Sequence, residues 1–146
     1  MDVSKTRVLF ACTHNSARSQ MAEALLRDRA PDDFDAFSAG TEASVIRPET
    51  VAVMDEIGVD LTGQRSKNIE EFRGQPFDFF ITVCDDSHES CPFLPGARTS
   101  LHWNIDDPSA VDGDDRLDAF RRARDDIRDR IQAFIRDAGG SSHGSG

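Results

Sequence analysis

The feature that most narrows the fold is a short apolar run, Val8-Leu9-Phe10-Ala11, that leads straight into Cys12-Thr13-His14-Asn15-Ser16-Ala17-Arg18-Ser19 and then into a segment with helical spacing. Consecutive apolar residues without polar alternation read as a strand covered on both faces, the kind found inside a parallel sheet. A strand feeding a tight turn that opens a helix gathers backbone N–H groups and the positive end of the helix dipole around one point. Arg18 adds a full charge there. Such a point is an anion site with a thiol at its centre, and its charges favour the thiolate, so Cys12 reads as a nucleophile. On this spacing alone a plainer reading stands beside it, a small thiol filling space behind a strand.

The remainder alternates strand and helix signals. Met21, Ala22, Ala24, Leu25 and Leu26 predict a helix over about 19–28 that stops before Pro31. A strand follows at 34–39, ended by Gly40, and then a helix opened by Pro48 with Val51, Met54 and Ile57 at helical spacing and Gly58 as its stop. Residues 60–72 read as loop plus a short helix, and 77–83, after Pro76, as an aromatic and β-branched strand. A short strand at 99–103 precedes a last helix over about 117–137, with Leu117, Phe120, Ile127, Ile131 and Phe134 on one face. The alternation implies an α/β fold: an open parallel sheet of about four strands with helices on both faces. Ligands of such sheets bind beyond the carboxyl ends of the strands. Cys12, Cys84 and Asp107 all follow predicted strand ends.

The 146 residues suit one domain, taken as 1–138, with a flexible Gly/Ser tail at 139–146 that has the look of an expression scar. A net charge of -10 without a compensating basic patch argues against nucleic acid as a partner. No apolar run approaches the ~18 residues of a membrane span, and the first residues lack a signal peptide's apolar region, so a cytoplasmic protein is expected. In that reducing compartment the three cysteines do not read as a structural disulfide framework.

Asp107, before Pro108, is either an ordinary turn residue or a general acid beside the anion. Asp106 competes with it, and the rigid proline favours Asp107. Cys84 and Cys91 read as inert thiols, as metal ligands with His88 and His102, or as a thiol-exchange pair. Cys-x3-His-x2-Cys is not a common zinc spacing. A disulfide needs its Cα atoms within about 7 Å, whereas seven residues span about 10 Å as helix and more than about 20 Å extended. A Cys84–Cys91 bond therefore requires that segment to bend or unwind, and a mobile segment is expected.

Four motifs occur in order: Cys12-Thr13-His14-Asn15-Ser16-Ala17-Arg18-Ser19-Gln20-Met21-Ala22-Glu23; Phe37-Ser38-Ala39-Gly40; Val83-Cys84 with Cys91-Pro92; and His102-Trp103 followed by Asp106-Asp107-Pro108. Together they resemble the thioredoxin-coupled arsenate reductases built on the low-molecular-weight tyrosine phosphatase scaffold, over nearly all of 7–137. The resemblance implies reduction of arsenate to arsenite in arsenic detoxification. Arsenate, with phosphate or sulfate as competitors, would sit in the loop Thr13, His14, Asn15, Ser16, Ala17 and Arg18. Cys12 would attack, Asp107 would protonate the leaving oxygen, and Cys84 and then Cys91 would carry the disulfide to thioredoxin. Asn15 would hold the loop in shape and Ser19 would hydrogen-bond the Cys12 thiolate. No bound cofactor is implied, only an external thiol reductant. A monomer is expected.

Two departures stand out. His14 occupies a position where the phosphatase branch usually has glycine. Some relatives bind potassium through groups matching Asn15, Glu23 and Ser38 plus a further acidic residue. Here Arg65-Ser66-Lys67 corresponds to that region, so Lys67 reads either as an ammonium replacing the ion in a remnant of the site or as a solvated lysine. Two other functions stay open. A low-molecular-weight tyrosine phosphatase needs only the Cys-x5-Arg loop and the Asp, although Ser109 and Ala110 stand where that branch commonly has tyrosines. Weak action on aryl phosphates is expected either way. The other is a non-catalytic thiol binder of arsenite or zinc.

Overall fold

The apolar run at the start of the chain forms the inner strand β1 (Thr6–Cys12), flanked by β2 (Phe34–Gly40) and β3 (Phe79–Cys84), with β4 (Thr99–Asn104) outermost. The computed structural model describes residues 5–85 and 92–139. All neighbouring strands are parallel, in the order β2-β1-β3-β4. Cys12 pairs with Gly40, Ala11 with Thr82, and Cys84 with Asn104, so the strand ends share one edge. The chain passes from β1 to β2 on one side, while β3 takes the other. The point where the order reverses, between β1 and β3, is where open sheets hold ligands.

Side chains alternate across the sheet. Val8, Phe10 and Cys12 face a large core shared with Met21 and Leu25 of α1 (Arg18–Arg29), Met54 of α2 (Pro48–Asp55) and Phe120, Ile127 and Ile131 of α3 (Arg116–Phe134). Leu9 and Ala11 face a second cluster with Phe72, Phe77, Phe80 and Leu94, where a 3-10 turn (Ile69–Phe72) supplies the cover. Each such side chain withdrawn fully from water contributes roughly 1.5–3 kcal/mol. Among the described residues no helix is long and apolar enough to cross a membrane.

Two expectations change. Val51 is not on the buried stripe of α2: it is 47% exposed, and Thr50, Val53 and Met54 face inward. Thr50 takes an inner place because its hydroxyl donates to the Ser16 carbonyl at 3.0 Å, a use that apolar periodicity does not register. Strand β3 begins at Phe79 rather than Phe77, because Phe77 fills the second cluster and the Asp78 carboxylate accepts the Arg7 N–H at 2.8 Å. The last helix ends its α-helical part at Phe134 and closes with a π-helical turn, Ile135–Gly139. The tail from residue 140 onward lies outside the described residues.

Candidate active site

Cys12 ends β1 at 2% exposure as a free thiol, and the next five residues loop over to the first turn of α1. The loop's carbonyls are all claimed from outside. Thr13 O accepts from Glu42 N at 2.8 Å, His14 O from Ser66 Oγ at 3.0 Å, Asn15 O from Gln20 Nε2 at 3.1 Å, and Ser16 O from Arg47 N at 3.0 Å. In a planar trans peptide the C=O and the following N–H point opposite ways. Carbonyls turned outward therefore turn the N–H groups of His14, Asn15, Ser16 and Ala17 toward the space before the sulfur.

Two positions make that curl feasible. Asn15 has φ 54°, the only positive φ outside glycine among the described residues, and Asn tolerates this region better than most. Gly40 meets the loop from β2: a Cβ there would lie 2.5 Å from Thr13 O and 2.9 Å from both Asn15 N and Cys12 O. A side chain at Gly40 would push the cradle open.

Arg18 is 3% exposed, and its Nη1 donates to the Ile105 carbonyl at 2.9 Å. That bond brings the segment after β4 to the loop, with Asp107 Oδ1 3.9 Å from Arg18 Nη2. Cys12, His14, Ser16, Ala17, Arg18, Asp107 and Ser109 line one small pocket. Asp106 is exposed and does not line this pocket. Asp107 Oδ1 accepts both Ser109 N at 2.9 Å and Ser109 Oγ at 2.6 Å, capping the turn Pro108–Ala110. Arg116 clamps this segment, donating to Ser109 O at 2.7 Å while pairing with Glu49 of α2 at 2.7 Å. The Arg116 hydrogen bond holds the Glu49 carboxyl below its ordinary pKa.

Ser19 Oγ lies 2.9 Å from Cys12 Sγ and accepts Asn15 Nδ2 at 2.8 Å. With Asn15 donating to it, the Ser19 hydroxyl is free to donate to the sulfur. Cys84 ends β3 fully buried, packs in the same apolar cluster as Cys12, and is held in a disulfide. Cys91, His88 and the segment expected to be mobile lie outside the described residues.

The three remnant residues converge. Ser38 donates to Glu23 Oε1, Lys67 Nζ sits 3.5 Å from the same oxygen, and Arg27 bonds the other carboxylate oxygen. The Lys67 side chain is only 11% exposed, so it is not a solvated surface lysine. Burial pushes its pKa down, and the Glu23 charge and hydrogen bond oppose this. Asn15 does not join this group through its own side chain, which is committed to Ser19, Gln20 and the Lys67 backbone N–H.

The profile described as low molecular weight phosphotyrosine protein phosphatase matches residues 7–139. The chain belongs to this family. Within it, the chain is 39% identical over 134 residues to a protein named arsenate reductase from Halalkalibacterium halodurans, covering 90% of this chain and 96% of that one. Among solved structures, an arsenate reductase in the phosphate binding state superposes with a TM-score of 0.78 at 30% identity, over 90% of this chain and 98% of the other. A thioredoxin-dependent arsenate reductase from Corynebacterium glutamicum gives 0.70 at 27% identity, over 97% of this chain and 65% of that one.

Sequence reasoning missed several residues that the fold brings against this loop and Asp107. Ser109, noted only as not being tyrosine, grips the Asp107 carboxylate. Gln20 is fully buried beneath the loop and bonded to Asn15 and Arg65, and Gln64 bonds to it. A glutamine among the inward positions of α1 was the available signal, since a buried amide needs partners.

Proposed function

We propose that this chain reduces arsenate to arsenite through its three thiols and is recycled by thioredoxin. The observation that carries the reading is the pairing of a free Cys12 in an anion cradle with a buried, disulfide-bonded Cys84 at the neighbouring strand end. Hydrolysis has no use for a second redox-active sulfur there. Relatives named arsenate reductase support the substrate, and the thioredoxin-dependent relative supports the electron donor.

Arsenate enters the cradle against the inward N–H groups and the planar fork of Arg18, which suits a tetrahedral oxyanion. The Cys12 thiolate attacks arsenic, one As–O bond breaks, and the oxygen leaves as water with a proton supplied by Asp107. Cys84 then attacks the Cys12 sulfur. The S–As bond breaks with its electron pair going to arsenic, which departs as arsenite and leaves a Cys12–Cys84 disulfide. Cys91 attacks Cys84, freeing Cys12, and two electrons from thioredoxin reduce the Cys84–Cys91 bond.

The other residues have supporting parts. Asn15 holds the loop and Ser19 donates to the thiolate. Lys67 takes the place of a bound cation beside Glu23 and Ser38. Phosphate and sulfate compete for the cradle, and aryl phosphates are hydrolysed weakly because the first attack is the same on phosphorus. A thiol relay recycled by thioredoxin belongs in a reducing compartment such as the cytoplasm.

Arsenate-dependent NADPH oxidation in the presence of thioredoxin and its reductase tests the reading. Turnover that saturates with arsenate and requires thioredoxin is expected. Stoichiometric arsenite or zinc binding without turnover would replace this reading with that of a binder.

A further inference from the structure

A series of hydrogen bonds connects the guanidinium of Arg27, near the end of α1, to the sulfur of Cys12. Arg27 Nη1 donates to Gln64 Oε1 at 2.9 Å, Gln64 Nε2 to Gln20 Oε1 at 2.7 Å, and Gln20 Nε2 to Asn15 Oδ1 at 2.8 Å. Asn15 Nδ2 donates to Ser19 Oγ at 2.8 Å, and Ser19 Oγ lies 2.9 Å from Cys12 Sγ.

A side-chain amide can be turned over, exchanging donor for acceptor, unless its neighbours forbid it. Here they do. Asn15 Oδ1 also accepts the Lys67 backbone N–H at 2.7 Å, so that end of the amide is oxygen and the end facing Ser19 is NH2. Gln20 faces Asn15 Oδ1 together with two backbone carbonyls, Asn15 O at 3.1 Å and Arg65 O at 2.9 Å. Only an NH2 group serves three acceptors, which puts the Gln20 oxygen toward Gln64. Gln64 then presents its own oxygen to Arg27, a side chain that has only hydrogens to give. The amides are pinned by two obligate donors, the Arg27 guanidinium at one end and the Lys67 backbone N–H at Asn15. Reversing Asn15 or Gln20 would set donor against donor or acceptor against acceptor among buried groups, while the Arg27–Gln64 bond at the far end is exposed to water. Ser19 Oγ is therefore an acceptor for Asn15, and its single hydrogen is left for the sulfur.

From this geometry we infer that Gln20 and Gln64 are positioning residues of the thiol site, holding Asn15 and Ser19 in the one orientation that donates a hydrogen to Cys12. The Arg27 charge polarises the series in the same sense, and hydrogen bonds in a chain strengthen one another. The inference rests on Cys12 being the activated nucleophile. It assigns to two amides on separate segments a role in the reactivity of a sulfur that neither touches.

The test is the pH profile of Cys12 alkylation by iodoacetamide in the full chain, read at the Cys12 peptide by mass spectrometry without arsenate. Gln64→Glu keeps the size of the side chain and its acceptor for Arg27, but removes the N–H that Gln20 Oε1 needs. Gln64→Met removes both bonds and leaves a side chain of similar length. Arg18 and His14 from the loop and Asp107 from the segment after β4 are the charged or titratable groups lining the pocket around the sulfur. They are unchanged in both variants, but Gln64→Glu adds a carboxylate that by itself disfavours the thiolate, so the uncharged Gln64→Met is the variant whose shift reads the amide series. Both variants are expected to move the midpoint toward higher pH, with alkylation on the acid side slowed roughly three- to tenfold, the worth of one ordinary neutral hydrogen bond, since the Ser19 donor is loosened and not removed. Wild-type profiles in both would overturn the inference and leave Cys12 as nucleophile, the amides being packing alone. A wild-type midpoint near that of an ordinary cysteine, about 8.5, would instead overturn the reading of Cys12 as activated, and the inference with it. Should Gln64→Met fail to fold, the equally uncharged Gln64→Leu takes its place.

Discussion

Replacing Gly40 by alanine probes how closely β2 supports the anion loop. The added Cβ would stand 2.5 Å from Thr13 O, where ordinary contacts begin at 3.4 Å, so that carbonyl has to retreat by about 0.9 Å, the difference between those distances. Asn15 N and Cys12 O, at 2.9 Å, resist movement on either side, and Thr13 O is tied to Glu42 N at 2.8 Å. Overpacking of this kind costs about 1–3 kcal/mol, which for a domain of this size lowers Tm by roughly 2–12 °C. The functional loss is expected to be larger, because displacing binding groups by about 1 Å costs on the order of 100-fold. Gly58→Ala is the matching control. Its φ of +76° makes alanine strained there, but nothing lies within 4 Å of the new Cβ, so stability falls and activity does not. Thermal unfolding and kcat/KM for arsenate in the thioredoxin-coupled assay read the two effects separately. A Gly40→Ala protein with wild-type kcat/KM would refute the claim that this glycine shapes the cradle.

Further expectations can be checked alongside. Asp107→Asn should lower kcat by about 10²–10⁴, the usual worth of a general acid, whereas exposed Asp106→Asn should change kcat little; equal effects would remove the assignment. Lys67→Met strips one cation from buried Glu23 but leaves Arg27 and Ser38 in contact, so a loss of about 1–3 kcal/mol is expected in chemical denaturation, relieved by potassium and not by larger cations, while the wild type stays indifferent to potassium. Hydrogen bonds from Arg121 and Arg124 lower the pKa of Glu56 to about 2 from 4.5. A depressed carboxyl stabilises the fold above its unfolded value, and that contribution disappears as pH falls through about 2. Glu56→Gln should therefore flatten the slope of Tm against pH between about 4.5 and 2. An unchanged slope would mean that the α2–α3 clamp does not form in solution.

Much of this architecture is legible in the chain because single residues leave few choices. Val8 to Ala11 have no polar alternation and become the inner strand, Pro48 opens α2 at its first turn, and Cys12–Arg18 forms the strand-to-helix junction on which the proposed anion site rests. Pro108 marks the aspartate that reaches the pocket. What is not legible depends on contacts between distant segments. Thr50 displaces Val51 from the buried stripe because a carbonyl of the loop needs a donor. Gln20 and Gln64 stand 44 residues apart and meet only after folding. The convergence of Glu23, Ser38 and Lys67 is implied by resemblance, but the extent of Lys67 burial is set by packing.

The central claim is that the electrons reducing arsenic come from sulfur through residue 84. A single turnover of the pre-reduced protein with arsenate and no thioredoxin, run on wild type and on Cys84→Ser, measures it. The account predicts about one arsenite per wild-type chain with Cys12 recovered as a free thiol, and from Cys84→Ser no arsenite but continued slow hydrolysis of an aryl phosphate. Stoichiometric arsenite from Cys84→Ser would contradict it.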